Sequence, residues 1–140
     1  MLTNTRTIRV EWGDCDPAGI VFYPRYFEMF EICIHSLVER ATGMTKFQLT
    51  QKYGFVGFPV VQARAQFMAP ATYGDEVVAD TTITEFRRSS FDVIHRVHNG
   101  EKLAVEGFET RVWVGRHPDD PERLKAVAIP DEVIAKFKQG

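Results

Sequence analysis

One change of hydrophobic period constrains this chain more than any other feature. Apolar residues recur at three- and four-residue spacing at Phe27, Phe30, Ile34, Leu37 and Ala41, flanked by Tyr26, Met29, Cys33 and Val38. That broad face predicts an enclosed helix over Tyr23 to Thr42, with Pro24 at its first position and Gly43 as its stop. Its polar stripe is narrow, made of Glu28, Glu31, His35 and Glu39. From Pro59 onward the period becomes two. Val61, Ala63, Ala65 and Phe67 share one face of a strand, as do Val77, Ala79, Thr81 and Ile83, and then Phe91, Val93, His95 and Val97. Asn99-Gly100 predicts a type I′ hairpin, so the next strand, Leu103 to Val114, pairs back on its predecessor. One long helix followed by a meander of strands predicts an α+β chain, an antiparallel sheet wrapped round one long central helix.

The remaining segments fit around this frame. Thr7 to Trp12 reads as a first strand with Ile8, Val10 and Trp12 inward, and Thr45 to Tyr53 as a short second helix. Gly115 to Arg123 reads as a polar loop, Leu124 to Ile129 as a last short strand, and Pro130 to Lys138 as a terminal helix or tail. A chain of 140 residues forms one domain, 1–140, able to bury a core without disulfide or metal staples. The thin layering leaves sheet edges and a far face to be covered, which predicts a homo-oligomer.

A net charge of −2 argues against a nucleic-acid or membrane-surface partner. Cys15 and Cys33 are too few for a disulfide framework or a structural zinc site, which points to a reducing, cytoplasmic setting. No apolar run approaches the roughly 18 residues of a membrane span.

The chemistry concentrates in the loop Trp12 to Tyr26, which carries Asp14 and Asp16 among Gly13, Pro17 and Gly19 and runs directly into the helix. Unpaired amides and the positive end of the helix dipole favour a developing negative charge there. Either Asp is also a common turn cap. A carboxylate without a His partner can attack a carbonyl or activate water, and a thioester suits it because the thiolate leaves easily. Cys15 reads as packing, since neighbouring carboxylates disfavour its thiolate. No His or Cys completes a metal-ligand spacing with the two Asp, and no metal or cofactor is expected. His35, His95 and His98 read as structural or exposed, and His117 lies in a charged loop. Glu85 to Ser90 reads either as a solvated hairpin tip or as a small phosphate site with two guanidiniums and two hydroxyls.

Gly13-Asp14-Cys15-Asp16-Pro17-Ala18-Gly19-Ile20-Val21, followed by Tyr23-Pro24, resembles the active-site loop of the hotdog-fold acyl-CoA thioesterases, most closely the 4-hydroxybenzoyl-CoA thioesterase group. Arg87-Arg88 before Ser90-Phe91 resembles that group's coenzyme A contact region. The resemblance covers nearly the whole chain and implies hydrolysis of an aromatic acyl-CoA to the free acid and coenzyme A. It implies that Asp16 is the catalytic carboxylate, as nucleophile or general base, and that the Tyr23 backbone N–H polarises the thioester carbonyl. Gly19 would let backbone approach the ligand, and Arg87, Arg88, Ser89 and Ser90 would meet the coenzyme A phosphates. It further implies a homotetramer, a dimer of dimers with sites at subunit interfaces.

Three positions depart from the group: Ser89 replaces a Lys, Glu31 an Asp and Phe58 a Thr. The last two place Glu31 and Phe58 in the acyl pocket and leave the acyl group open. Glu31 also reads as an i,i+4 partner for His35. A short-chain aliphatic acyl-CoA thioesterase and a non-catalytic acyl-CoA binding module are the alternatives. A hotdog dehydratase is disfavoured, because its His and carboxylate have no evident place in the sequence.

Overall fold

In the computed structural model, which describes residues 1–138, the apolar spacing becomes helix α1, Pro24–Thr42. The last two positions of the expected domain lie outside the described residues. Gly43 ends the helix at φ +67, in the left-handed region that glycine enters without a Cβ penalty. Tyr26, Met29, Phe30, Cys33, Ile34, Leu37 and Val38 are buried, while Glu28, Glu31 and Glu39 stay exposed, as the narrow polar stripe requires.

Five antiparallel strands wrap this helix: β1 (Thr3–Arg9), β3 (Val60–Phe67), β4 (Glu76–Phe86), β5 (Ser90–Asn99) and β6 (Lys102–Val112), in the order β1-β4-β5-β6-β3. A separate sheet joins β2 (Phe55–Gly57), β7 (Val114–His117) and β8 (Asp120–Ala126). Helices α2 (Lys46–Tyr53) and α3 (Asp131–Phe137) complete the chain, Thr45 capping α2 through a bond from the Gln48 N–H. This is the hotdog arrangement. No helix among the described residues is long and apolar enough to cross a membrane.

Several local expectations are corrected. The first strand runs over Thr3–Arg9, and Trp12 lies in a short 3-10 turn, Trp12–Asp14, with its ring exposed. Polar Thr3 and Thr5 still belong to the strand because they bond across to Thr82 and Asp80, at 2.7 and 2.6 Å. The hairpin after Asn99 is not type I′. Asn99 pairs with Lys102, so Gly100 and Glu101 form the turn, and only Gly100 has positive φ, the requirement of a type II′ turn. The expected loop at 115–123 is largely the β7–β8 hairpin, which folds because it adds pairing to the small sheet rather than apolar area. Among the described residues strand β3 pairs only with β6, so Val60, Val61 and Phe67 remain exposed along an open edge.

The core lies between α1 and the inner sheet face, and it falls into two apolar clusters. One gathers Ile34, Leu37, Phe55, Ile83, Val93 and Trp113, the other Val10, Tyr26, Phe30, Val77, Val97 and Val105. Between them runs a buried polar seam of Thr81, His95, Glu109 and Arg111. Each member is hydrogen-bonded, as burial at this depth demands.

Candidate active site

The acidic loop folds back on itself before α1 begins. Gly19 donates its N–H to the Asp16 carbonyl at 2.9 Å and turns the chain at φ +81, so that Cys15 bridges to Val21 and the Phe22 N–H reaches the Asp14 carbonyl at 2.8 Å. Each of the two carboxylates gives one oxygen to a backbone N–H, and Asp16 is the one that lines a hollow. Asp14 Oδ2 accepts the Glu11 N–H at 2.9 Å and caps the 3-10 turn. Asp16 Oδ1 accepts the Ala18 N–H at 2.8 Å, and its other oxygen has no donor among the described residues. Half-buried Asp16 therefore offers one oriented, free oxygen. Asp16, Gly19, Trp12, Cys15 and Tyr73 line a hollow of about 360 Å³.

Tyr23 precedes Pro24 at the start of α1, and its N–H has no acceptor among the described residues. With Ile20, Tyr26, Phe67 and Met68 it lines a second hollow of about 350 Å³ at the open β3 edge. Within one chain Asp16 and Tyr23 thus occupy neighbouring hollows rather than a single one. Behind Tyr23, the buried Tyr26 hydroxyl lacks any partner among the described residues; burial first, then the charges of Asp75 and Cys15, push its phenol pKa up and keep its proton in place.

At the β4–β5 tip the two arginines separate. Arg87 gives Nη1 and Nη2 to the two Asp92 oxygens at 3.0 and 2.6 Å and its Nε to Ser90 Oγ at 2.9 Å. That fork also holds the Asp92 carboxyl below its usual range. Arg87 and Ser90 are hence engaged internally, whereas the exposed Arg88 side chain has no polar partner among the described residues. Backbone bonds from Trp113 to the Ser89 carbonyl and from Ile129 to the Arg88 carbonyl, at 2.7 and 2.8 Å, fix the tip.

Glu31 and Phe58 meet in a third hollow of about 230 Å³, with His35, Lys46, Pro59, Val114 and Leu124. The Phe58 ring is buried against Phe55 and Phe91, so it is a wall of this hollow more than an open contact. Glu31 takes both of its expected roles in part. Its Oε1 lies 3.2 Å from His35 Nε2, and its Oε2 accepts from Arg111 Nη2 at 2.6 Å. Partial burial works to raise the Glu31 pKa, but the bonds and charges of Arg111 and His35 outweigh it and hold the carboxyl below its usual range.

Arg111 was not anticipated from sequence, nor was its partner Glu109. Arg111 binds both Glu109 oxygens, at 3.3 and 2.9 Å, and the Phe58 carbonyl at 3.1 Å. Glu109 Oε1 lies 2.7 Å from His95 Nε2, and His95 Nδ1 lies 2.8 Å from Thr81 Oγ1. The signal existed: His95 shares a strand face with Phe91, Val93 and Val97, and an inward polar residue there calls for a partner on the next strand. The His95–Glu109 pair is the His and carboxylate that the sequence did not reveal. It cannot meet a substrate, because His95 is 0% exposed and lies under the Phe30 ring, with centroids 4.4 Å apart. Among the described residues no cluster of three or more His, Cys, Asp or Glu could hold a metal.

Comparison with known proteins agrees with this fold. Residues 10–137 match the thioesterase-like superfamily. The chain is 34% identical over 131 residues to a 4-hydroxybenzoyl-CoA thioesterase of Pseudomonas sp. strain CBS-3, covering 90% of this chain and 91% of that protein. An Asp-to-Asn mutant of 4-hydroxybenzoyl CoA thioesterase, crystallised with 4-hydroxybenzoyl CoA, superposes with a TM-score of 0.89 at 33% identity, over 96% of this chain and 98% of that one. A gentisyl-coenzyme A thioesterase superposes at 0.81 and 32% identity, over 97% and 100%.

Proposed function

The chain belongs to the thioesterase-like superfamily, and we propose that it hydrolyses an aromatic acyl-CoA of the hydroxybenzoyl type, releasing the free acid and coenzyme A. The observation that carries this reading is that Asp16, with one carboxylate oxygen free, lines the hollow in the turn ahead of α1, on the same loop as the unpaired Tyr23 N–H. The Tyr23 N–H, at the positive end of α1, accepts the charge that develops on the thioester oxygen. The Asp16 oxygen either attacks the carbonyl carbon, giving an acyl-aspartyl anhydride that water then hydrolyses, or takes a proton from a water that attacks directly; on either route the C–S bond breaks and the coenzyme A thiolate departs. Support for the carboxylate comes from the relative whose acyl-CoA complex carries an Asp-to-Asn change.

The site is completed by a second copy, in a dimer of dimers. Within one chain Tyr23 and Glu31 line separate hollows, which supports a Glu31 from another subunit meeting the acyl ring whose carbonyl rests on Tyr23. The open β3 edge, with Val60, Val61, Phe67 and Met68 exposed, is the surface on which such a copy docks. Free Arg88 meets the coenzyme A phosphates, and Arg87, Ser89 and Ser90 shape the tip that presents it.

The test is coenzyme A release from a panel of aromatic and short aliphatic acyl-CoAs. The highest kcat/KM is expected for a hydroxylated benzoyl thioester. A preference for short aliphatic chains, or saturable binding without turnover, would replace this reading.

A further inference from the structure

The buried Arg111 has more acceptors than packing alone explains. One guanidinium, 1% exposed, serves Glu109 on its own strand, the Phe58 carbonyl ahead of β3 and Glu31 on α1. Glu31 and Phe58 are the two of these three that line the third hollow. We propose that Arg111 is the positioning residue that sets acyl preference: it fixes the Glu31 carboxylate and the Phe58 backbone together, and so decides which Glu31 oxygen is left to accept from a ring hydroxyl. This rests on the reading of Glu31 as a residue of the acyl pocket.

The geometry assigns the two oxygens different tasks. Oε2 is held at 2.6 Å by a charged donor that is itself immobilised by Glu109. Oε1 has only the longer contact with His35, whose side chain is 41% exposed. A hydroxyl entering the hollow therefore meets Oε1 at a fixed place. The seam behind Arg111 holds it there: Glu109 is bonded by His95, and His95 by Thr81 and the stacked Phe30 ring. A Lys at this position would keep the charge but lose the planar fork that reaches three segments at once.

The experiment compares kcat/KM for 4-hydroxybenzoyl-CoA and benzoyl-CoA in the full-length protein and in Glu31→Gln, Arg111→Lys and the double variant. Each single change is expected to lower the ratio by about tenfold or more, and the double variant to stay within about twofold of Glu31→Gln, since both act through one carboxylate. Arg111→Lys with the native ratio, while Glu31→Gln loses it, would overturn the inference and leave the pocket reading standing. An unchanged ratio in Glu31→Gln would overturn the pocket reading and the inference with it. Because Arg111 is buried, the same ratio is measured in Glu109→Gln/Arg111→Met, which removes the charge with its counter-charge so that a folded variant is obtained. Loss of the ratio is expected there too, and its retention would overturn the inference.

Discussion

Gly107 lies directly beneath Phe30: a Cβ on Gly107 would stand 2.4 Å from the Phe30 ring carbons. Gly107 pairs with His95 across β5 and β6, so the missing side chain is what lets the Phe30 ring lie flat on the imidazole, 5° from parallel. Gly107→Ala is expected to push this ring off His95 and destabilise the fold by about 1–3 kcal/mol, the usual penalty of overpacking. Chemical denaturation measures it. Unchanged stability would mean that the ring can move aside freely.

The seam predicts an acid limb to the stability. Burial works to raise the Glu109 pKa, but the bonds and charges of His95 and Arg111 outweigh it and hold the carboxyl below its usual range. A depressed carboxylate contributes stability that is complete above its unfolded pKa, about 4.3, and lost as pH falls through the folded value. Glu109→Gln should therefore lower stability at neutral pH by about 3–5 kcal/mol, because Arg111 keeps only Glu31 as counter-charge. Its Tm should also fall less steeply than the native protein's between about pH 5 and pH 3. Thermal melts across that range check both.

At the β4–β5 tip, Arg88→Ala should raise KM for acyl-CoA by about tenfold with a smaller change in kcat, since the phosphates lie far from the reacting carbon. The penalty should shrink at high salt. Arg87→Ala should affect KM less, because Arg87 is already given to Asp92 and Ser90. Steady-state kinetics at two ionic strengths separates them, and equal KM effects would contradict the assignment.

Much of this could be read from the sequence because it follows from spacing. The stripe of Phe27, Phe30, Ile34 and Leu37 and the alternation through β4 and β5 set the helix and its sheet. Residues 3–6 escaped because an edge segment bonding through hydroxyls has no apolar face to betray it. Residues 115–123 of the β7–β8 hairpin escaped because they are polar and lack apolar alternation, whereas residues 124–126 fell in the expected last strand. The loop motif pointed to Asp16, but the chain order could not tell that Asp14 caps a turn. Glu109 and Arg111 carry no signal of their own in the sequence; the β5–β6 register sets Glu109 diagonal to His95, and the packing of α1 on the sheet brings Glu31 to Arg111.

The central claim is that Asp16, and not its neighbour Asp14, carries the chemistry, and the most direct measurement is kcat of Asp16→Asn against Asp14→Asn on 4-hydroxybenzoyl-CoA. The amide keeps the shape and the Ala18 bond but loses nucleophilicity and basicity, so Asp16→Asn should lower kcat by on the order of 10³ or more while substrate still binds. Asp14→Asn should lower it far less, since Asp14 caps the 3-10 turn and is not among the residues that line the hollow beside Asp16. Equal losses in the two variants, or substantial turnover by Asp16→Asn, would contradict the account.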